Sequence, residues 1–244
     1  MAQTLGETWF DDVYALLPRV REANRAALAR AAELIGPALA RGGVLHTFGS
    51  GHSEIIAREI IGRAGGLVCV SGIIETTNGA AENVPGFGRM LAERHGRLYG
   101  MERGESVVVI SNSGRNCAPI DVATFARERG LHVIAVTSLT MAHEVTSRHP
   151  SGRMLHECAD IVLDNGSVTG DARTTLPDGS GVRAGPSSTL TGALLLNLLQ
   201  LEVLQWLADR GHPLPVIRSQ NTDGGPEHNQ ALAAKYRLRL TRPL

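Results

Sequence analysis

Apolar residues in this chain gather into short, nearly unbroken runs: Val44–Phe48, Leu67–Val70, Ser106–Ile110, His132–Thr137 and Ile161–Leu163. A strand that alternates apolar and polar residues has one wet face, whereas a continuous run is buried on both. Between the runs the apolar spacing becomes helical. Residues 7–40 read as helix in two pieces hinged near Pro18, with Val20, Ala27 and Leu34 as a packing stripe and Gly42-Gly43 as the stop. Further helices are expected from Glu54 to about Gly62–Gly66, over Arg89–Arg97, and from Pro119 to Arg129, where Gly130 supplies a C-terminal stop. A long buried helix starts at Thr189. Ahead of it, Thr174-Thr175-Leu176, Pro177-Asp178-Gly179-Ser180 and Val182-Arg183 read as a short hairpin on the sheet's edge. A polar tail runs from Arg218 to Leu244. Strands alternating with helices predict an α/β fold, with a five-stranded parallel doubly wound sheet in flavodoxin-like order. No boundary splits the 244 residues, so one domain is expected: a helical segment (1–40), a core (41–215) and the tail (216–244).

Two of the strand-to-helix junctions share a design. The first strand runs into Gly49-Ser50-Gly51-His52-Ser53, and the third into Ser111-Asn112-Ser113-Gly114-Arg115-Asn116. Glycine and small hydroxyl or amide residues at such a turn expose backbone N–H groups at the positive end of a helix dipole, where an anion is stabilised. Ser50, Ser53, Ser111 and Ser113 add donors without bulk. One such loop alone is accounted for as a cap on its helix, but two at neighbouring strand ends would hold one phosphate from both sides. A small phosphorylated ligand is the expectation. Gly49-x-Gly51-x-x-Glu54 lacks the third glycine of a dinucleotide fingerprint, and strand two ends in Val70-Ser71 without the acid that would hold a ribose. No redox cofactor is expected.

Composition narrows the classes further. With 24 basic and 24 acidic side chains there is no basic excess for a nucleic acid. The apolar run from Leu190 to Leu207 is interrupted by Asn197, Gln200, Glu202 and Gln205, which reads as a core helix and not a membrane span. Glu7, Asp11 and Asp12 near the start do not fit a signal peptide. Cys69, Cys117 and Cys158 are odd in number and widely spaced, as in a reduced, cytoplasmic protein without a zinc cluster. The 28 glycines exceed the usual share of about 7% and sit mainly in loops.

The two serine loops, with Ala57 in the helix that follows the first, resemble those of the SIS (sugar isomerase) domain. Gly185-Pro186-Ser187-Ser188-Thr189, leading into Gly192 and Ala193, resembles that fold's third loop, with Ser188 as a substrate contact. The segment Asn221–Asn229 is similar to a small branch of SIS proteins related to phosphoheptose isomerases. The resemblance covers about residues 40–215 and implies a phosphate held by Ser50, Gly51, His52, Ser53, Ser111, Asn112, Ser113 and Asn116. Asn116 stands where the family's usual Ser-Gly-x-Thr has threonine. Glu59 and Arg63 stand near the places where phosphoheptose isomerases carry a metal- or substrate-binding His and Glu, which argues against a metal.

The implied reaction is aldose–ketose isomerisation through an enediol. It needs a base to move a proton between adjacent carbons and an acid–base group to open the ring. The resemblance implies Asp171 after strand five, Glu59 on the first core helix, and Glu227-His228 from a second subunit of a homodimer or homotetramer. Each also has a plainer reading: an ion-paired Glu59, a turn-forming Asp171, and a Glu-His pair that is simple surface. Glu75 and Glu82 are reserve carboxylates. The same apparatus would serve a β-eliminating etherase, and SIS domains also occur as sugar-phosphate sensors in regulators.

Overall fold

The computed structural model describes residues 3–241, so residues 1–2 and the last three of the expected tail, 242–244, lie outside the described residues. Five strands, β1 (Leu45–Gly49), β2 (Val70–Ile73), β3 (Ser106–Ile110), β4 (His132–Thr137) and β5 (Ile161–Asp164), pair in parallel in the order 2-1-3-4-5. Helices α1 (Leu5–Ala40), α2 (His52–Glu59) and α6 (Ser188–Asp209) cover one face, and α3 (Phe87–Tyr99) and α4 (Cys117–Glu128) the other. The double coverage explains the unbroken apolar runs. In β3, Val108 and Ile110 enter the core under α1, α2 and α6, while Val107 and Val109 enter the one under α3 and α4. Burying both faces removes apolar area from water at roughly 25 cal/mol per Å2, the main favourable contribution to the fold.

Helices α1 and α6 pack against one another along their length. The contact is close because Gly36 has no side chain: a Cβ there would lie 2.3 Å from Cε3 of Trp206. Helix α6 is long and apolar enough to cross a membrane by length and composition, yet Leu195, Leu196, Leu199, Val203 and Leu207 are buried in the core shared with α1 and α2. Asn24, buried in α1, makes a two-point clamp on the outer edge of β5. Its Nδ2 donates to the Asp164 carbonyl (2.8 Å) and its Oδ1 accepts from the Asp164 N–H (2.8 Å).

Several boundaries differ from those expected. Helix α1 is continuous through Pro18 and Pro37, with Leu16 and Val20 buried on either side of Pro18. The lost hydrogen bond is outweighed by burial along the rest of the helix. Helix α2 begins at His52, before Glu54, and ends at Glu59, ahead of the glycines. Strand β2 begins at Val70, because Leu67 instead forms an isolated antiparallel bridge with Val216. The hairpin, β6 (Ala172–Thr175) and β7 (Arg183–Pro186), is a separate two-stranded sheet. It packs on the first turns of α1, where Arg173 pairs with Asp12 (Nη2–Oδ1 3.2 Å) and Gly185 lies against the Trp9 ring. A short helix α5 (Leu139–Glu144) follows β4, and the tail is ordered around α7 (Gly225–Ala233).

The amino ends of β1 and β3 carry a buried polar network. His46 Nε2 lies 3.0 Å from Glu105 Oε2, and His46 Nδ1 lies 3.0 Å from Nε2 of His95 on α3. Glu105 also accepts from the Val44 N–H (2.9 Å), the Glu102 N–H (2.8 Å) and Arg239 Nη2 (2.7 Å), which ties the tail to the core. Burial, with the neighbouring His46 and Arg239, pushes His95 down to about 3. Burial alone would raise Glu105, but its hydrogen bonds from His46, Glu102 and Val44 hold it at about 2. Both values lie below those of the free side chains, so the unfolded chain binds protons that the folded one refuses. Stability is therefore lost as pH falls, from 6.5 to about 3 for His95 and from 4.5 to about 2 for Glu105. Denaturant melts across this range should show His95→Gln losing stability less steeply than the parent between about pH 6 and pH 4, by up to about 1.4 kcal/mol per pH unit. Parallel curves would show that His95 does not titrate on unfolding.

Candidate functional site

Strands β1 and β3 are neighbours in register, Gly49 opposite Ile110, so the loops that leave their carboxyl ends are side by side. The chain turns from β1 toward β2 and from β3 toward β4, and the strand order reverses between the two loops. In open α/β sheets this reversal is where a ligand-sized crevice opens. Loop one (Ser50–Ser53) turns at Gly51, whose φ of 57° is in the left-handed region. A Cβ on Gly49 would come within 2.2 Å of the Ser53 carbonyl oxygen, so only glycine lets this turn close. Loop two (Ser111–Asn116) turns at Gly114, φ 63°. Neither α2 nor α4 has a side-chain cap at its N-terminus. In the first turns the Ser53 and Glu54 N–H groups donate to the Ser50 and Gly51 carbonyls, the Ala118 N–H donates to the Glu82 carbonyl, and Pro119 has none, so these helix starts offer an anion the His52 and Cys117 N–H groups on adjacent strand ends.

The side chains of these loops divide into two groups. Ser111 Oγ accepts from the Gly114 N–H (3.2 Å), which leaves its own proton to donate. Ser53 and Ser113 are partly exposed, and His52, the first residue of α2, is exposed. Asn116 Oδ1 accepts from Arg148 Nη1 (3.3 Å), so its NH2 group remains a donor in the place of the family's threonine. Ser50, by contrast, donates to Glu75 Oε2 (3.3 Å). The Asn112 amide is turned to Asn165 (2.9 Å), beyond β5, and its backbone carbonyl accepts from the Ser138 N–H (2.9 Å). Its side chain braces the strand ends and does not face loop one.

Two carboxylates are built into this end of the sheet. Glu75 is 2% exposed and accepts from Ser50 Oγ, the Gly79 N–H (2.8 Å) and the Thr77 N–H. Burial raises its pKa, but hydrogen bonds from Thr77, Gly79 and Ser50 outweigh this and hold it below the ordinary value. Asp171, φ 64°, accepts from five donors: Ser167 Oγ (2.6 Å), Ser187 N–H (3.0 Å) and Oγ (3.3 Å), and Ser188 N–H (2.8 Å) and Oγ (2.6 Å). Here too burial raises the pKa and the hydrogen bonds more than offset it. The carboxylate supplies the negative charge at the N-terminus of α6 and fixes Ser187 and Ser188. Four of the five bonds fall on Oδ1, and Oδ2 accepts only from Ser188 Oγ.

The other expected catalytic residues stand apart within one chain. Glu59 is the last residue of α2, about 10 Å along the helix from loop one, and it pairs with Arg63 (2.5 Å). Glu227 is exposed on α7, and His228 Nε2 lies 3.0 Å from the Val216 carbonyl oxygen. That segment packs beside Leu67, ahead of β2, at the opposite end of the sheet from the loops. The polar tail packs on its own chain: Asn229 clamps the Arg218 N–H and carbonyl (2.8 Å each) and Tyr236 is buried. Among the described residues no three of His, Cys, Asp and Glu converge as a metal would require. Cys69, Cys117 and Cys158 are free and buried. The bonds of Asn165 and Ser167 escaped the sequence reading. They follow the last apolar run in an Asp-Asn-Gly-Ser stretch that signals only a turn.

Removing Asp171 leaves its donors unsatisfied and α6 uncapped, so Asp171→Ala should cost about 2 kcal/mol in a urea melt. Glu59→Ala breaks only a partly exposed ion pair and should stay within about 0.5 kcal/mol of the parent. Equal costs would contradict these placements.

Residues 8–138 match the SIS domain. A UPF0309 protein of Listeria monocytogenes is 36% identical, over 97% of this chain and 99% of its own. Among solved structures, a phosphoheptose isomerase of Francisella tularensis superposes with a TM-score of 0.55 at 19% identity, covering 84% of this chain and 100% of that one. The NanR protein of Vibrio vulnificus, complexed with ManNAc-6P, gives 0.54 at 17%, covering 86% of this chain and 66% of that one. The expected fold and the order of its strands are those observed, and the chain belongs to the SIS domain family, among the UPF0309 proteins.

Proposed function

We propose that this protein binds the phosphate of a small sugar phosphate between loops one and two, and interconverts aldose and ketose through an enediol. The observation that carries the reading is the pair of helix N-termini without side-chain caps, α2 and α4, opening from adjacent strands with Ser53, Ser111, Ser113 and Asn116 around them. Such donors suit a tetrahedral anion and leave the sugar lying outward, across the carboxyl ends of the strands. The base in this reading is Asp171. It is partly exposed, whereas Glu75 is buried, and its Oδ2 carries a single hydrogen bond. Its lowered pKa keeps it ionised at neutral pH, ready to take the proton from one carbon and return it to the next. Ser188, bonded to that oxygen, touches the sugar. Glu75 positions Ser50. His52, at the rim of loop one, is the ring-opening group available within the chain.

One observation favours binding without chemistry. Both carboxylates at the site are held below their ordinary pKa by hydrogen bonds, which weakens them as bases. The structure of NanR with ManNAc-6P makes that sugar phosphate a sensible member of a test panel. An isomerase breaks a C–H bond that a sensor leaves alone. Incubation in D2O with a panel of aldose and amino-sugar 6-phosphates, followed by NMR, should show loss of the proton next to the carbonyl and appearance of the ketose. Asp171→Asn should slow this about a hundred- to ten-thousandfold while binding persists. Tight binding with the α-proton retained would establish the sensor, and release of an unsaturated product a β-eliminase.

The reading includes a homo-oligomer in the cytoplasm. The packing stripe of α1, Val20, Ala27 and Leu34, is taken up by the protein's own core. Helix α6, however, leaves Leu190 and Leu201 45% and 59% exposed on one face, and burying them needs a neighbour. In that assembly Glu227 and His228 reach another subunit's site. Mixtures of His228→Ala and Ser113→Ala subunits, each inactive alone, should recover part of the activity. A monomer by light scattering, or mixtures no better than their components, would refute the arrangement.

A further inference from the structure

Two guanidinium nitrogens among the described residues are buried without a hydrogen-bond partner, Nη1 of Arg173 and Nε of Arg115. The first belongs to a charge that is already compensated, since Arg173 is paired with Asp12 through its other nitrogens. Arg115 has no ion pair among the described residues. It lies within loop two, between left-handed Gly114 and Asn116, the residue that precedes α4. The Arg115 side chain is partly exposed, yet its Nε is buried without a partner, and a buried donor left unbonded is costly unless an acceptor reaches it. Loop two is one of the two places in this fold where a helix start favours an anion. A second cation stands beside it: the Arg148 N–H donates to the Arg115 carbonyl (2.8 Å), and the Arg148 guanidinium reaches Asn116. Neither loop contains a lysine or a second arginine. The serine hydroxyls and helix termini are neutral donors, which serve a singly charged oxyanion nearly as well as a doubly charged one. A full positive charge discriminates between them.

Resting on the proposed phosphate site, we infer that Arg115 is its charge-selecting residue, pairing with the phosphate so that the site takes dianionic phosphate monoesters in preference to monoanions such as sulfate esters. The second phosphate ionisation lies near pH 6, so the selection is visible as a pH profile. Calorimetric titration of the full-length protein with inorganic phosphate, between about pH 5 and about pH 7.5, reads it directly. The parent should bind more tightly at the upper end. Arg115→Gln should bind roughly ten- to a hundredfold more weakly there and lose most of the pH preference. Arg115→Lys keeps the charge and should retain the preference with intermediate affinity, and Arg115→Met, which keeps the length of the side chain and removes the charge, takes the place of the glutamine variant if that one does not fold. An arginine that only braces the loop would give the uncharged variants the same pH profile as the parent. Unchanged affinity and profile in folded Arg115→Gln, alongside weakened binding in Ser113→Ala, would overturn this inference and leave the phosphate site standing. No phosphate binding by the parent would overturn both.

Discussion

The constraint on which the rest of this structure depends is that every central strand is buried on both faces. Helices must then cross over on both sides of the sheet, and right-handed crossovers fix which side each takes. The chain starts in β1, moves outward to β2, then returns past β1 to β3 and continues the other way. The loops after β1 and β3 therefore part from one another at neighbouring positions. No residue in either loop creates that divergence; it follows from the order in which hydrophobic strands are laid down. The serines and glycines then decorate an opening that the topology has already made, and they decide only what it accepts.

Legibility in the sequence follows from how local the cause is. Strands β3 and β4 coincide with their apolar runs because each buries both faces and is bounded by polar residues. Strand β2 does not, because Leu67–Cys69 are as apolar as the strand but border the returning tail through Val216. No pattern within one segment reveals a pairing with a residue well over a hundred positions away. Pro18 misleads for the opposite reason: its local penalty is real, and the packing that outweighs it comes from α6 and the sheet. At the site, Gly-Ser-Gly and Ser-Asn-Ser-Gly announce the two turns, and the structure brings those turns together. Residue type does not reveal which side chains are already occupied. Ser50 looks like a free donor until Glu75 is seen beside it, the Asn112 carbonyl oxygen is taken by the Asn165 amide, and Asp171 looks like a turn former until its donors from α6 are counted.

The network at the other end of the sheet is a counterweight to the site. His46, His95 and Glu105 take up positions that apolar residues would fill, and they gather Arg239 from the tail. Polar groups in a core favour one arrangement over its competitors, since each wrong arrangement leaves a buried charge unbonded. This is where the end of the chain is registered against its middle.

At each flank of the sheet a side chain from elsewhere in the protein takes an outward rung. On β5 the outward N–H and carbonyl of Asp164 are taken by the Asn24 amide, a side chain standing in for a strand. On β2 the Gly72 N–H is taken by Thr241 Oγ1, delivered by a tail that Arg239 holds in place. Bare strand edges are templates on which other chains pair and aggregate. The segment around Arg239 and Thr241 therefore acts as a bumper: a lesion that shortens the chain before Arg239 would leave the two serine loops and the sheet intact in sequence, yet uncover a sticky border on every molecule.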